Sequence, residues 1–319
     1  MKIPFSPSVY EHAAYLIQRT PWEVSRDPDL VFAAHRAAYL EYRHFPVVVG
    51  IDIYNLEAEA YGAVVEPVSQ GVPAIHQPLV RSLEEALSLS PFDPLRDGRI
   101  PMMIEVGTRL ARELPEADVR IPVSGPFSIA VSLRGMTGLL EDVVLHPKLV
   151  AEWLTRLSEN QAAFRRAIVE SGLDLTFFES AAAPPLLSPQ QFREIEYPAL
   201  LQAICAAEDV SYQTIPCVMG GDTAPILEDL LATGTDYVIC PAETNQEEFI
   251  AKSASHPHVK VRINLDPTTV AFGTHEEIAK EIDRILALAE TRPNCLLGTG
   301  CLPYETPPEN VKFIRDYVG

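Results

Sequence analysis

The chain has 319 residues, of which 47% are hydrophobic, enough to build the core of one α/β barrel or of two medium-sized domains. Its formal net charge is −19. An acidic surface argues against binding to nucleic acids or anionic membranes, because both attract clusters of Lys and Arg. No uninterrupted apolar segment suits a signal peptide or a membrane span. We therefore expect a cytoplasmic protein that acts on a small molecule or a protein partner.

The cysteines also favour a cytoplasmic protein. They are odd in number and widely spaced, which is not the pattern of a disulfide framework. We expect reduced thiols, some of them functional. The five residues are Cys205, Cys217, Cys240, Cys295 and Cys301.

The predicted elements alternate along most of the chain. Residues 1–44 are predicted as a helical extension, and the first predicted strand is FPVVVGID at 45–52. From residue 118 onward, short apolar runs alternate with helical patterns. The further predicted strands are 118–125, 173–180, 210–218, 236–240, 259–266 and 294–300. Seven strands are visible in this way, and residues 53–117 are predicted to contain an eighth.

This alternation predicts the fold class. Strands rich in Val, Ile and Leu, each followed by a helix, are typical of a parallel sheet covered by helices. Eight such units predict a single (β/α)8 TIM barrel over residues 1–319, with the helical extension at 1–44. A doubly wound open sheet is the alternative. No GxGxxG or GxxxxGK[ST] motif follows a predicted strand, which argues against that alternative and against dinucleotide or P-loop chemistry.

Residues at the carboxyl ends of barrel strands are the first candidates for chemistry. Asp52 and Glu179 end apolar runs, and Cys217, Cys240 and Cys301 lie at or just beyond predicted strand ends. Thiolates and carboxylates together can hold Zn²⁺, and a carboxylate alone can act as a general acid or base. The structural alternatives are a small buried apolar role for each cysteine and a turn or helix cap for each carboxylate.

Six segments, in the same order, resemble the uroporphyrinogen decarboxylase superfamily. They are FPVVVGIDIYNLEAEAYGAVVE, VSGPFSIAVSLRGMTGLLEDVVLHPKLVAEWL, LLSPQQFREIEYPAL, GGDTAPILEDLLATGTDYV, INLDPTTVAFGTHEEIAKEI and LLGTGCLPYETPPENVKFI. The superfamily includes decarboxylases of porphyrinogens and corrinoid-linked methyltransferases that use zinc to activate a thiol. The resemblance also implies a (β/α)8 barrel.

Two branches of that superfamily can be compared with the chain. The Asp that follows the first strand of the decarboxylases corresponds to Asp52, but their Arg-Gln-Ala-Gly-Arg motif has no counterpart. The late cysteine of the methyltransferases corresponds to Cys301 in GCLPYETPPENV. Their His-x-Cys-Gly is replaced by VMGG, with Val218 and Gly220 at the two ligand positions.

The resemblance and the predicted topology lead to one main hypothesis. Asp52 and Glu179 are the predicted catalytic residues, while Glu179, Cys217 and Cys301 are predicted to bind zinc, with Cys240 as a reserve ligand. The implied activity is a corrinoid-linked methyltransferase that moves a methyl group between a methyl ether, amine or thiol and a separate cobalamin protein. The alternatives are a metal-free decarboxylase that uses Asp52, and a non-catalytic barrel that binds a tetrapyrrole or a corrinoid protein.

Overall fold

The computed structural model describes residues 3–69, 71–211 and 215–319. Its strands are β1 Phe5–Ser8, β2 Val47–Val48, β3 Val65–Glu66, β4 Ala74–Ile75, β5 Val119–Ser124, β6 Asp174–Phe178, β7 Pro216–Val218, β8 Tyr237–Cys240, β9 Lys260–Leu265 and β10 Cys295–Cys301.

The α-helices follow the strands along the chain. They are α1 Tyr10–Leu16, α2 Pro21–Arg26, α3 Pro28–Tyr42, α4 Leu56–Ala60, α5 Leu83–Leu87, α6 Ile100–Glu113, α7 Pro126–Arg134, α8 Met136–Leu145, α9 Pro147–Asn160, α10 Ala162–Glu170, α11 Pro189–Gln191, α12 Tyr197–Glu208, α13 Leu227–Leu231, α14 Gln246–Ser253, α15 Pro267–Phe272, α16 His275–Ala289 and α17 Pro308–Val318. Two 3-10 turns, Ile53–Asn55 and Ala224–Ile226, and a π-helical turn, Phe192–Glu196, complete the list. Among the described residues, none of the helices combines the length and apolarity that crossing a membrane requires.

Eight of the strands form one curled parallel sheet. Their order is β1-β10-β9-β8-β7-β6-β5-β2, so β1 and β2 are the edge strands. Ser6 Oγ in β1 donates a hydrogen bond to the carbonyl oxygen of Phe45, two residues before β2. One interior cavity is lined by Ser8 near one edge, Val48 at the other, and residues of the strands between. This topology is consistent with a (β/α)8 barrel.

The two faces of each strand have different environments, as the period of two requires. In β6, Thr176 and Phe178 line the interior cavity. Leu175 and Phe177 belong instead to the main hydrophobic core between the sheet and the helices. A shift of one residue along a strand therefore moves a side chain from the interior of the sheet to the helical layer.

The structure corrects the predicted position of the eighth strand. Within 53–69 and 71–117, the described part of this range, the only strands are β3 and β4, which pair antiparallel with each other outside the main sheet. The eighth strand is β1, which pairs in parallel with β10. Its sequence, FSPS, has two serines and a proline and lacks the apolar run that marks the other strands, so the pattern did not reveal it.

The predicted helical extension at 1–44 is not confirmed. The segment contains three helices, α1 to α3, but it also supplies β1 to the main sheet. The strand predicted at 210–218 is present as β7, and residues 212–214 of that prediction lie outside the described residues. The other predicted strands of the main sheet are confirmed.

Candidate functional site

Three aromatic side chains form a floor at the carboxyl ends of the strands. Phe178 ends β6, and the rings of Tyr10 and Tyr54 meet it edge-on at centroid distances of 5.8 and 6.1 Å. The Tyr54 hydroxyl lies 3.0 Å from Ser180 Oγ. Phe178 and Tyr10 are almost fully buried, whereas Tyr54 is 36% exposed. Tyr54 therefore marks the boundary between this floor and solvent.

An open groove runs from this floor along helix α7. Asp52, Tyr54, Asn55 and His76 line one part of it, and Ser128 and Ser180 line another. Tyr54 contributes to both parts, so the two are continuous. The groove lies at the end of the sheet where ligands bind in α/β folds of this kind.

Asp52, a predicted catalytic residue, lines the groove but is bound by an arginine. Arg99 Nη1 and Nη2 donate to its two carboxylate oxygens at 2.7 and 2.6 Å, and Asn55 Nδ2 donates at 3.1 Å. Arg99 also pairs with Glu59 at 2.5 Å. A buried carboxylate needs such partners, and they hold Asp52 in one orientation at the edge of the groove.

Cys301, a predicted zinc ligand, ends β10 and is exposed. Its Sγ lies 3.2 Å from Glu11 Oε2, to which it donates a hydrogen bond. Desolvation raises the pKa of the Glu11 carboxyl above its usual range. Desolvation also raises the pKa of the Cys301 thiol well above its usual range, and the Glu11 charge raises it further. Both groups therefore bind their protons more tightly than they would in water.

Glu11 was missed by the sequence analysis. It follows β1 by three residues and so lies at the carboxyl end of a strand, like the predicted candidates. Recognising β1 as a strand would have identified Glu11, because a carboxylate soon after a strand end is a candidate of the same kind as Asp52.

Glu179, predicted both as catalytic and as a zinc ligand, is fully buried behind the groove. Its Oε1 accepts from Ser128 Oγ at 2.6 Å, and its Oε2 accepts from the Phe127 and Ser128 amides at 3.1 and 3.3 Å. The carboxylate thus occupies the amino end of helix α7, where amide hydrogens favour a negative charge. Ser128 lines the groove and Glu179 fixes its position.

Cys217, the third member of the predicted zinc set, faces the helices. Its neighbours Pro216 and Val218 line the interior cavity. Cys217 belongs to the main hydrophobic core and pairs across the sheet with Phe177. Burial raises the pKa of its thiol, and the charges of Glu179 and Glu196 raise it further. Cys217 directly precedes Val218, which holds the position of the missing family histidine, but the alternation of strand side chains turns Cys217 to the opposite face.

Glu196 lies next to Glu179 in the same buried layer. Burial and the neighbouring Glu179 charge raise the pKa of the Glu196 carboxyl well above its usual range. Two carboxyls so close together in a buried layer oppose each other's ionisation, so Glu196 holds its proton more tightly than an ordinary carboxyl. Glu179 and Glu196 therefore lie buried behind the groove and are not among the residues that line it.

The three predicted zinc ligands do not fit a common metal ion. Glu179 is bound by α7, Cys217 faces the helical core, and Cys301 pairs with Glu11 at the mouth. Within residues 3–69, 71–211 and 215–319, no group of three or more His, Cys, Asp and Glu side chains is arranged to hold a metal ion. Cys240, the reserve ligand, is also buried in the main core. We therefore derive no chemical step through zinc.

Comparisons with known proteins agree with this geometry at the level of family and fold. A sequence model of the family described as Uroporphyrinogen decarboxylase (URO-D) matches residues 2–319. A uroporphyrinogen decarboxylase from Chlorobium phaeovibrioides is 31% identical over 179 residues, which are 54% of this chain and 49% of that protein. The methylcobamide:CoM methyltransferase MtaA from Methanosarcina barkeri is 28% identical over 233 residues, which are 70% of this chain and 65% of that protein.

A solved structure extends the comparison to the whole chain. A methyltransferase from Methanosarcina mazei superposes with a TM-score of 0.82 and 20% identity, over 99% of this chain and 93% of that chain. Identity at this level establishes the shared fold. The chain spans about half the length of the first curated relative that it matches.

Proposed function

Because the chain belongs to the uroporphyrinogen decarboxylase family, we propose that it is a methyltransferase of that family. It moves a methyl group between a small methylated substrate, such as a methyl ether, amine or thiol, and cobalamin carried by a separate corrinoid protein. The similarity to the Methanosarcina barkeri enzyme supports this branch. In this proposal the curled sheet is a (β/α)8 barrel whose carboxyl-end mouth receives both substrates.

The observation that carries the proposal is the pair formed by Cys301 and Glu11. The thiol stands at the end of β10, exposed at the mouth, and the carboxyl lies 3.2 Å from it on helix α1. The raised pKa of Glu11 means that the carboxyl holds its proton more tightly than an ordinary carboxyl does, which suits a proton donor. A proton donor at an open mouth is what the removal of a methyl group from a poor leaving group requires.

The step follows from this placement. The bond between the methyl carbon and the substrate heteroatom breaks, its electron pair stays on the heteroatom, and the Glu11 proton neutralises the developing charge there. The reduced corrinoid, when docked, would supply the electron pair for the new bond to the methyl carbon. Cys301 donates to Glu11 and orients the carboxyl toward the mouth, while the rings of Tyr10 and Tyr54 shield one side from water.

Replacing Glu11 tests this role. We expect E11Q to keep the fold and to transfer methyl groups about a hundredfold more slowly, because general acid catalysis contributes at least about that factor. The assay incubates the protein with free cob(I)alamin and a series of methyl ethers, methylamines and methyl thiols, and follows the corrinoid absorbance.

The matched controls are two cysteine variants. C301S should slow transfer because it weakens the orientation of Glu11, whereas C205S, at another exposed cysteine, should have no effect. Full activity of E11Q would contradict the assignment of the acid. Tight binding of cobalamin without turnover of any methylated compound would instead indicate a non-catalytic barrel.

A decarboxylase of the uroporphyrinogen type is the second candidate. Its support is the similarity to the Chlorobium protein and the position of Asp52 at the groove. In that reaction Asp52 would stabilise a protonated intermediate. The site supports decarboxylation less than methyl transfer, because Arg99 already binds both carboxylate oxygens of Asp52. Release of CO2 from uroporphyrinogen, lost in D52N and retained in E11Q, would select this candidate.

Zinc bound by Glu179, Cys217 and Cys301 stays a prediction, in which the resemblance supplies Cys301 and the predicted topology supplies Glu179 and Cys217. Elemental analysis of purified wild-type protein and of C217A and C301A tests it directly. Equal loss of zinc from both variants would support the predicted ligand set. It would contradict the separate positions of Cys217 in the main core and Cys301 at the mouth. Retention of any bound zinc in C217A would remove Cys217 from the set.

A further inference from the structure

Arg262 is a buried cation without a buried anion. The residue lies on β9, is 4% exposed, and lines the interior cavity. Its Nε donates to Asn264 Oδ1 at 3.1 Å and its Nη2 donates to Ser8 Oγ at 3.0 Å. Both acceptors are neutral. In the described part of the chain no carboxylate forms an ion pair with it, and none of the six remaining residues is Asp or Glu.

Other buried arginines show how unusual this is. Arg99 is neutralised by Asp52 and Glu59. Arg292 donates to the backbone carbonyls of Ser253, His256 and Val259, which compensate its charge. Arg165 also has no carboxylate partner in the described residues, but it is not among the residues that line the interior cavity. Burying an uncompensated charge costs free energy, so its retention in a cavity points to a ligand.

Two further residues that line this cavity carry buried polar atoms without partners. Thr176 Oγ1 and the Tyr237 hydroxyl are buried and have no hydrogen-bond partner among the described atoms. The ring of His35 also lines the cavity, and its Nε2 accepts from the Gly50 amide. Burial lowers the pKa of His35 to about 4, so the ring is neutral and its unpartnered Nδ1 carries the hydrogen. No Asp or Glu is among the residues described as lining the cavity.

The chain makes room for Arg262 at a glycine. A Cβ atom on Gly298 of β10 would lie 2.5 Å from both Cγ and Cδ of Arg262 and 2.7 Å from Asn264 Oδ1. Gly298 pairs with Asn264 across the β9 and β10 ladder. The guanidinium also reaches the layer of the mouth, because its partner Ser8 lies opposite Cys301 in the ladder of β1 and β10. The glycine thus allows a cation to lie directly beneath the aromatic floor.

We propose that Arg262, Tyr237 and Thr176 bind a small oxyanion, the carboxylate or sulfonate end of the methylated substrate. Arg262 supplies the charge and two hydroxyls supply donors, in a cavity without carboxylates. The substrate class rests on the proposed function, since it assumes that the methyl group is held at the mouth above. The anion site itself does not depend on that assumption.

Titration with acetate and methanesulfonate tests the site, against sodium chloride at matched ionic strength. We expect saturable binding to the wild-type protein by calorimetry, with a rise in the unfolding temperature. R262Q should raise the Kd roughly tenfold to a hundredfold, as the loss of a charge-assisted hydrogen bond predicts. R166Q, at an exposed arginine, should bind like the wild type. Absence of saturable binding, or equal binding by R262Q, would overturn the site.

Measurements of stability distinguish a role of Arg262 in anion binding from a role in supporting the sheet. In chloride buffer R262Q should unfold at the same temperature as the wild type or higher, because it removes an uncompensated buried charge. Marked destabilisation would indicate that Arg262 supports the sheet. Y237F, which deletes only an unpartnered hydroxyl, then provides the decisive variant: weaker acetate binding by a folded Y237F supports the site, and unchanged binding contradicts it.

Inhibition kinetics distinguish a free anion from the end of the substrate. Acetate should compete with the methylated substrate, and R262Q should raise KM for anionic methyl compounds but not for neutral ones. Acetate binding without competition would overturn the substrate class. Acetate binding in a protein that transfers no methyl group would leave the anion site in place and remove the proposed function.

Discussion

Single buried side chains decide much of the chemistry of this protein, and Glu57 is the clearest case. Glu57 on helix α4 is fully buried, and its oxygens accept from the Ser124 amide at 2.6 Å and the Ser124 hydroxyl at 2.9 Å. Burial raises the pKa of the carboxyl to about 7, and these hydrogen bonds oppose the rise. Neither effect is visible in the sequence LEAEA, where Glu57 looks like any helical glutamate.

The raised pKa of Glu57 predicts a pH dependence of stability. A carboxyl with a raised pKa in the folded state contributes stability that is fully present below about pH 4.5 and is lost as pH rises through about 7. The shift corresponds to about 3 kcal/mol. We expect the free energy of unfolding of the wild type, relative to E57Q, to fall by about this amount between pH 4.5 and pH 8.

Urea unfolding of the two proteins across this pH range measures the difference. The buried histidines act in the opposite direction, because burial lowers the pKa of His35 to about 4 and of His44 to about 3. Their contribution is lost as pH falls below about 6.5, and it cancels in the comparison with E57Q. A pH-independent difference between the two proteins would contradict the role assigned to Glu57.

At the scale of elements, the hydrophobic pattern predicted where the strands lie but not which face of a strand carries each side chain. The apolar runs located seven strands of the main sheet. They did not specify which face of β7 carries Cys217, since a run that is apolar on both faces has no visible period. Register therefore decided that Val218 lines the cavity and that Cys217 lies in the helical core.

Strand β10 gives a prediction of its own. G298A places a methyl group 2.5 Å from Arg262, so the guanidinium must move or the ladder must open. We expect a loss of about 1 to 3 kcal/mol in the free energy of unfolding, typical of overpacking, together with weaker acetate binding. Thermal and urea unfolding with calorimetry provide the measurement.

Gly220 supplies the matched control for that substitution. It follows β7 near the carboxyl ends of the strands, and a Cβ atom there would meet nothing within 4 Å. G220A should change stability by less than about 0.5 kcal/mol. Equal effects of G298A and G220A would show that the close contact with Arg262 is not what requires a glycine at 298.

At the scale of the whole molecule, β1 completes the main sheet. It pairs with β10, its Ser6 donates to the carbonyl oxygen of Phe45 two residues before β2, and its Ser8 accepts from Arg262. We expect removal of residues 1–8 to abolish cooperative unfolding, because it opens the sheet and exposes the interior cavity. Far-UV circular dichroism during heating measures this.

The control for the truncation is S6A, which removes one hydrogen bond and keeps the strand. It should unfold cooperatively and lose about 1 kcal/mol. A truncated protein that unfolds with the wild-type transition would show that the sheet does not need β1.

The sequence by itself determined the α/β class, the family and most of the strands, because apolar runs and helix caps are local features that the chain order preserves. The capping box of Thr274 and Glu277 at α16 is one such local signal. Tertiary structure alone decided which polar groups meet. The pair of Glu11 and Cys301 is 290 residues apart and that of Ser8 and Arg262 is 254 residues apart. Such partners are set by the order and register of parallel strands, which no local pattern contains.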